Sequence, residues 1–252
     1  MKAESSRRSA PLPRPSDIGS SRGDDPAILH PVPHATRVVV VGVAAVLVVT
    51  VFGLLAARTA TVTRFDQSID VALNQLHTGV VGSVASGVYA IFSPVPAVIL
   101  TAVLAGLIWA VTRQLRVAMT FAVIVAVTWL PSAVVKALVH RVRPDSSMLS
   151  HPFTPFPVDA SYPSGHTVFI TALAIAVFFL VGGRRARAVA AVVGAIVVAI
   201  VAVALLIDGV HFPTDVLASI VWSLAVAPLV LMLWNRFVIP RTVRAVRAEG
   251  VS

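Results

Sequence analysis

The sequence predicts an all-α integral membrane protein, built as a bundle of six transmembrane helices with both termini in the cytoplasm. Of its 252 residues, 57% are hydrophobic, against about 45–50% in soluble domains, and the mean hydropathy is +0.90. Six apolar runs recur along the chain, and a run of about 20 residues is long enough to cross the bilayer core. The chain has no cysteine, which excludes disulfides and thiolate metal sites.

Residues 1–36 carry Ser, Pro, Arg and Asp without apolar periodicity, so we expect a disordered cytoplasmic tail. The membrane domain is predicted over residues 37–235, and a basic cytoplasmic tail over 236–252. The first apolar run is too long for a signal peptide. The fourth is short for a bilayer, so its polar start is expected at the outer interface or in a wet cavity. The six spans are predicted at about 38–57, 94–111, 117–139, 167–181, 188–207 and 216–234.

Between the first two spans, apolar and polar residues alternate at helical spacing. This pattern predicts an amphipathic helix lying on the membrane surface. Its apolar positions are Phe65, Ile69, Leu73, Leu76 and Val80, and the polar ones beside them are Asp66, Asp70, Asn74 and Gln75.

The distribution of positive charge predicts the topology. Six spans place fifteen Lys and Arg residues on one side and five on the other, and the richer side is expected to be cytoplasmic. The net charge of +9 is not gathered into a basic face with interleaved aromatics, so we expect membrane headgroups as partners and no nucleic acid. An arginine-rich, lysine-poor composition is typical of a GC-rich bacterial genome, and the expected location is the cell membrane.

Three short polar stretches interrupt the apolar chain, and the topology places all three on the extracytoplasmic side. In the first, Lys136 and Arg143 are seven residues apart, so both lie on one face if the helix continues that far. Arginine offers a planar fork to two phosphate oxygens while lysine acts as a point charge. The alternative is that Lys136 snorkels from a helix end to the membrane interface and the arginines lie among the lipid headgroups. Taken alone, this stretch does not distinguish a phosphate site from that arrangement.

The second stretch, Pro163-Ser164-Gly165-His166, directly precedes an apolar run. Ser164 is predicted to cap a helix whose first N–H groups are free to bind an anion. Gly165 lets the backbone approach a phosphate closely, and His166 is placed to protonate a leaving oxygen. An ordinary capped helix with an interfacial histidine is the alternative.

The third stretch contains His211 and Asp215, which are four residues apart and share a face if a helix starts near His211. A carboxylate bonded to one imidazole nitrogen fixes the tautomer and leaves the other nitrogen free to attack phosphorus. The alternative is a helix start, because Pro213 favours the first turn and Asp215 suits a helix N-terminus. Ionisable groups are costly near membrane spans, so their convergence favours a joint phosphate site.

Together the three stretches resemble the signature of the type 2 phosphatidic acid phosphatase superfamily, which is related to vanadium-dependent haloperoxidases. That signature is Lys-x6-Arg-Pro, then Pro-Ser-Gly-His, then Ser-Arg-x5-His-x3-Asp. The first motif is complete over Lys136–Pro144 and the second over Pro163–His166, and the third supplies His211 and Asp215. The predicted six-span plan is also similar to that of the family.

The resemblance implies that His211 is the nucleophile forming a phosphohistidine, that Asp215 orients it, and that His166 is the acid for the leaving group. It implies no metal and no cofactor. The residues that it assigns to the phosphoryl oxygens are Lys136, Arg143, Ser164 and Gly165.

The third motif is incomplete, because its Ser-Arg pair falls on Ala204 and Leu205. Losing one preorganised donor typically costs about 10²–10³ in rate. Arg141 is a substitute by proximity, provided that the helix has ended before Arg143, since residues two apart on a helix face different ways. Asp208, near the expected phosphate, is predicted to pair with Arg141 or Arg143.

The sequence therefore predicts an integral membrane phosphatase that hydrolyses a lipid phosphate or diphosphate at the extracytoplasmic face. The expected substrate is a polyprenyl diphosphate or a glycerophospholipid phosphate, reaching the site from the bilayer. One rival is an impaired family member that binds lipid phosphate without turnover, motivated by Leu205. Another is a lipid transporter, for which the chain shows no second gate or inverted repeat.

Overall fold

The computed structural model describes residues 26–29 and 34–239, and all regular structure in those ranges is helical. Most of the two predicted tails, at residues 1–36 and 236–252, lies outside the described residues. Short 3₁₀ turns occur at Ala27–Leu29 and Ser146–Met148. The α-helices are α1 (Ala35–Arg58), α2 (Ala60–Asn74), α3 (Gly79–Ile91), α4 (Pro94–Thr112), α5 (Leu115–Trp129), α6 (Ser132–Val139), α7 (Gly165–Leu180), α8 (Arg184–Ile207) and α9 (Pro213–Phe237).

Five segments of the described chain are long and apolar enough to cross a membrane: α1, α4, α8, α9, and α5 with α6 as one continuous segment. Helix α7, over the fourth predicted span, has 16 residues, and α3 is a shorter apolar helix of 13. The all-α, multi-pass membrane character of the chain is confirmed. The count of six spans and the cytoplasmic placement of the termini stay predictions.

Helix boundaries follow local sequence signals. Pro94 and Pro213 occupy the first turns of α4 and α9, where a missing N–H costs nothing. Ser164 caps α7, as predicted, by accepting a hydrogen bond from the Thr167 amide. At the start of α9, Asp215 accepts a hydrogen bond of 3.0 Å from the backbone amide immediately before the helix. Two of the three polar stretches are therefore helix starts.

The third predicted span is divided into α5 and α6 at Leu130-Pro131. Helix α6 then ends at Val139, and His140 adopts the left-handed conformation with φ of 48°. Arg143 therefore lies beyond the helix. The prediction that Lys136 and Arg143 share one helical face is wrong, because the left-handed residue turns the chain away from the helix axis.

The apolar core lies between α5, α7, α8 and α9, which pack against one another, while α1 packs along α9. Phe121, Ile124, Phe169 and Leu231 are buried in it. A hydrogen bond of 2.9 Å from Trp222 Nε1 on α9 to the carbonyl of residue 128 on α5 crosses this interior. These helices form the frame from which the polar stretches extend.

Helix α2 is amphipathic, as predicted, but its polar face is buried and its apolar face is exposed, the opposite of what a helix on the membrane surface would show. A helix on the membrane surface turns its polar face to water. Here the polar residues Asp66, Gln67, Asp70 and Asn74 are all buried, whereas Phe65 is 64% exposed. The polar face packs on the loops that carry the first and third polar stretches, and α2 is a support for those loops.

The long loop between α6 and α7, residues 140–164, is anchored to the bundle and to α2. Tyr162 is fully buried and donates a 2.6 Å hydrogen bond to the Val49 carbonyl on α1. Gly53, one turn further along α1, leaves room for the Tyr162 ring, with which any Cβ at that position would collide. Gln67 on α2 bonds both the amide and the carbonyl of Asp145. The loop is thus held on two sides.

Candidate active site

The three polar stretches meet at one end of the bundle. Arg143 Nη1 donates a hydrogen bond to the Val210 carbonyl and lies 3.5 Å from His211 Nε2. The rings of His166 and His211 are 6.4 Å apart, centroid to centroid. Residues from the end of the third predicted span, from the start of α7 and from the loop before α9 therefore surround one small volume.

His211 is buried, with a side chain only 1% exposed. A guanidinium can only donate, so the nitrogen facing Arg143 is Nε2 with a lone pair, and Nδ1 carries the proton. Burial lowers the pKa of His211 well below its ordinary value, and the positive charges of Arg143 and Lys136 add to the effect. The imidazole is therefore neutral at physiological pH, with Nε2 free to act as a nucleophile.

Asp215 lies beside His211, but the hydrogen bond that was predicted between them is not formed. Its Oδ2 is 3.7 Å from His211 Nδ1, beyond hydrogen-bond distance. That oxygen accepts the Phe212 amide, and Oδ1 accepts a 2.7 Å bond from Arg141 Nη1. The carboxylate thus caps α9 and holds an arginine while it faces the imidazole.

Arg141 does not replace the missing cation of the third motif. Its side chain is 2% exposed, and its Nη2 lies 2.7 Å from Asp66 on α2. Its Nη1 bonds both Asp215 and the Thr214 hydroxyl, and the guanidinium lies over the Phe212 ring at 4.2 Å. The prediction that Arg141 grips phosphate is wrong, because two buried carboxylates already engage it.

His166 is the second residue of α7 and is held by α3. Its Nε2 lies 3.2 Å from the Tyr89 carbonyl, and its ring lies against the Tyr89 ring with centroids 4.4 Å apart. Because a carbonyl only accepts, Nε2 carries the proton of that bond. The nitrogen that can exchange a proton with a reactant is therefore Nδ1.

The start of α7 is open at the position where a glycine was predicted to admit a phosphate. A Cβ on Gly165 would have only an ordinary contact, 3.6 Å from Trp129 Nε1. Crowding within the protein does not demand glycine there. The absence of a side chain leaves the first amide groups of a 16-residue helix accessible, as an anion site requires.

Lys136 and Arg143 converge, although not on one helix. Both bind the carboxylate of Asp159, a residue of the long loop, at 3.0 Å and 2.7 Å respectively. Partial burial opposes ionisation of Asp159, but the hydrogen bond and charge of Arg143, with the charge of Lys136, outweigh it and lower its pKa to about 2. The two cations are directed at one anionic position.

Asp208 has a different partner from the predicted one. Its Oδ1 lies 3.1 Å from His77 Nε2 and accepts a 3.2 Å hydrogen bond from Ser86. The pairing with Arg141 or Arg143 is therefore wrong, since the carboxylate faces α3 and the turn before it. Burial raises the pKa of Asp208 to about 6, while the charge of His77 and the Ser86 bond oppose that rise.

Leu205, at the third-motif arginine position, is fully buried in the apolar core and brings no charge to the site. Four contributors were not identified from the sequence: Asp159, Asp66, Thr214 and the Tyr89 carbonyl. Only Asp66 left a detectable signal, as one of the polar residues on a single face of α2.

Comparisons with known proteins identify the family and the fold of the chain. A family model described as the PAP2 superfamily matches residues 114–239, half of the 252-residue chain. A crystal structure of the first transmembrane PAP2 type phosphatidylglycerolphosphate phosphatase from Bacillus subtilis is similar, with a TM-score of 0.62 and 20% identity. The similarity covers 77% of this chain and 94% of that one, and at this identity it shows the fold. No curated protein sequence matches. Helices α2 and α3 precede the family match.

Proposed function

Because this chain belongs to the PAP2 superfamily, we propose that it is an integral membrane phosphatase which hydrolyses a lipid phosphate or diphosphate through a phosphohistidine. The observation that carries the proposal is the position of His211 Nε2, 3.5 Å from Arg143 Nη1. A neutral imidazole nitrogen thus adjoins a guanidinium that can hold the phosphoryl oxygens. The ring of His166 lies across from it at 6.4 Å.

In the first step, His211 Nε2 attacks phosphorus while the bond from phosphorus to the lipid oxygen breaks. The leaving oxygen takes a proton from His166 Nδ1. Because Nε2 keeps the proton that bonds the Tyr89 carbonyl, Nδ1 receives this second proton from the monoanionic phosphoryl group of the substrate as it binds. Lys136, Arg143 and the first amides of α7 bind the other phosphoryl oxygens and stabilise their charge in the transition state. The proton on His211 Nδ1 faces Asp215 at 3.7 Å, so the carboxylate offsets the charge that the phosphorylated imidazole acquires.

In the second step, water attacks phosphorus and the phosphorus–nitrogen bond breaks. His166, which lost its proton in the first step, accepts one from the water. Inorganic phosphate leaves, and His211 returns to its neutral form. Both steps balance with a lipid phosphate and water as the reactants.

The membrane-spanning helices favour a lipid substrate, because such a molecule reaches the site laterally from the bilayer. We propose a polyprenyl diphosphate or a glycerophospholipid phosphate as the substrate. We also propose an extracytoplasmic site in the cell membrane, since the positive charges are concentrated on the other side of the six predicted spans. Protease protection of tags at the two termini in intact cells tests this orientation.

Phosphate release by the purified protein from a panel of lipid phosphates and diphosphates tests the proposed activity. His211→Ala is expected to lose about 10³-fold or more in turnover, as loss of a nucleophile does in other enzymes. His151→Ala is the matched control, because His151 is an exposed histidine of the long loop. It is expected to retain the activity of the wild type.

The phosphohistidine itself is tested by rapid acid or alkaline quenching with a radiolabelled substrate. A label that is stable in alkali, labile in acid and absent from His211→Ala supports the covalent intermediate. Wild-type protein that binds lipid phosphate and releases none would contradict the hydrolase. Release of phosphate without any trapped label in single-turnover experiments would favour direct attack by water.

A further inference from the structure

One acidic side chain occupies the cation pair, although it belongs to none of the three polar stretches. Asp159 places Oδ2 3.0 Å from Lys136 Nζ, and Oδ1 2.7 Å from Arg143 Nη2. Each carboxylate oxygen binds one cation, as two oxygens of a phosphoryl group would. The carboxylate therefore occupies two of the donors that the proposed reaction assigns to the phosphoryl group.

Asp159 is far more exposed than the cations that it binds. Its side chain is 58% exposed, against 21% for Lys136 and 6% for Arg143. Asp159 and Arg143 both line an open cleft of about 470 Å³ between residues 140–146 and 156–160. The carboxylate can rotate into this open cleft at a modest cost, because it is the exposed partner of both ion pairs and the contribution of a pair falls as it becomes exposed.

The two cations have anchors that do not involve this carboxylate. Arg143 Nε donates a 2.9 Å bond to the Asp159 backbone carbonyl, and its Nη1 donates to the Val210 carbonyl. Lys136 Nζ donates a 2.8 Å bond to the Ala160 carbonyl. Removal of the Asp159 side-chain charge therefore leaves both cations held near the same place.

The carboxylate and a phosphate compete for the same donors at every physiological pH. The pKa of Asp159 is about 2, so protonation does not release the cations under conditions in which cells grow. An incoming phosphate must displace a charged group. The Asp159 carboxylate can form its ion pairs with Lys136 and Arg143 again when the product phosphate leaves.

We infer that the Asp159 carboxylate is an internal ligand of the phosphate site, which the phosphoryl group of a substrate displaces and which re-forms its two ion pairs as phosphate departs. The inference rests on the proposed function for the location of the phosphate. It makes Asp159 a determinant of affinity. Because the carboxylate competes with substrate and product alike, it weakens their binding and speeds product release without taking part in the chemical steps.

Calorimetric titration of inorganic phosphate into the purified full-length protein tests this inference without requiring turnover. Asp159→Asn removes the charge and keeps the size of the side chain. Phosphate is expected to bind about tenfold more tightly to this variant, because two partly exposed ion pairs no longer compete with it. Asp145→Asn is the matched control, since that exposed carboxylate of the same loop binds Ser147. It is expected to bind phosphate as the wild type does.

Asp159→Ala is a second variant, which also removes the hydrogen bonds that an asparagine can still make. If both variants bind phosphate no more tightly than the wild type, the inference is overturned and the carboxylate serves to position the cations. Tighter phosphate binding in a protein that hydrolyses no lipid phosphate would refute the proposed function but uphold this inference. An active enzyme whose Asp159 variants show no gain in phosphate affinity would support the proposed function and overturn this inference.

Discussion

Replacement of Asp66 by asparagine tests whether α2 supports the catalytic histidine from outside the family-matched region. Asp66 is fully buried and binds Arg141 Nη2 at 2.7 Å. It also accepts a short hydrogen bond from the Thr214 hydroxyl. Arg141 in turn holds Asp215, which faces His211. The substitution removes one charge from this network while keeping the shape of the side chain.

The expected loss follows from the contacts. Deleting one partner of a buried ion pair costs about 3–5 kcal/mol when it leaves a charge uncompensated. Here Arg141 keeps Asp215 as a counter-ion, and asparagine keeps an oxygen that can accept hydrogen bonds. The loss is therefore closer to the difference between a charge-assisted and a neutral hydrogen bond, about 1–2 kcal/mol. For a chain of this size that corresponds to a decrease of roughly 2–8 °C in Tm.

Thermal unfolding in detergent and the kcat for phosphate release are the two measurements. We expect kcat to fall by about tenfold, because Asp215 loses part of the network that fixes it, and KM to change little. Asp70→Asn, one turn further along α2, is the matched control. Its two carboxylate oxygens are buried without hydrogen-bond partners among the described residues, and burial raises its pKa to about 9, so it is already neutral and its replacement should not disturb Asp215. An Asp66→Asn variant with unchanged Tm and kcat would refute a supporting role for α2.

Three further predictions concern stability. Burial, with the nearby charges of Asp215 and Asp66, raises the pKa of Asp70 from 3.8 to about 9. Between these two pH values Asp70 is protonated in the folded state and ionised in the unfolded state. The free energy of unfolding should therefore fall as pH rises from about 4 to about 9. Asp70→Asn should flatten that slope in unfolding experiments at a series of pH values, and an unchanged slope would assign it to another group. Gly53→Ala should destabilise the protein by about 1–3 kcal/mol because its Cβ meets the Tyr162 ring, whereas Gly87→Ala, with open space around it, should not. Leu205→Arg should lower Tm and activity together, because it places a charge in the apolar core; a gain in activity would show that the side chain reaches the phosphate site.

The sequence was sufficient to predict the all-helical membrane fold and the convergence of the three polar stretches. Apolar runs locate helices because a backbone surrounded by lipid must satisfy its own hydrogen bonds, as a helix does. Ser164 marked a helix start because serine is one of the few residues whose side chain accepts hydrogen bonds from the free amides of a first helical turn. The course of the chain beyond α6 was not predictable in the same way. A left-handed residue at His140 ended the helix, and only that turn decides that Arg143 faces the site while Arg141 faces α2.

The orientation of α2 shows a second limit. Periodicity shows that a helix is amphipathic, but it does not show which face is buried. In a membrane protein a polar face can turn inward if buried partners satisfy it, as Arg141 satisfies Asp66. Asp159 shows a third limit, because a single carboxylate in a long loop carries no spacing signal. Its role depends on a fold of the loop that brings it to Lys136 and Arg143.

The helices that precede the family match determine how short the chain can be made. A fragment that began at Gln114 would contain every residue of the three polar stretches and the whole segment that matches the family. It would lack Asp66, so Arg141 would face one carboxylate in place of two. It would also lack the Tyr89 carbonyl that holds His166 Nε2. We therefore expect the smallest functional unit of this protein to extend N-terminally beyond the segment that matches the family.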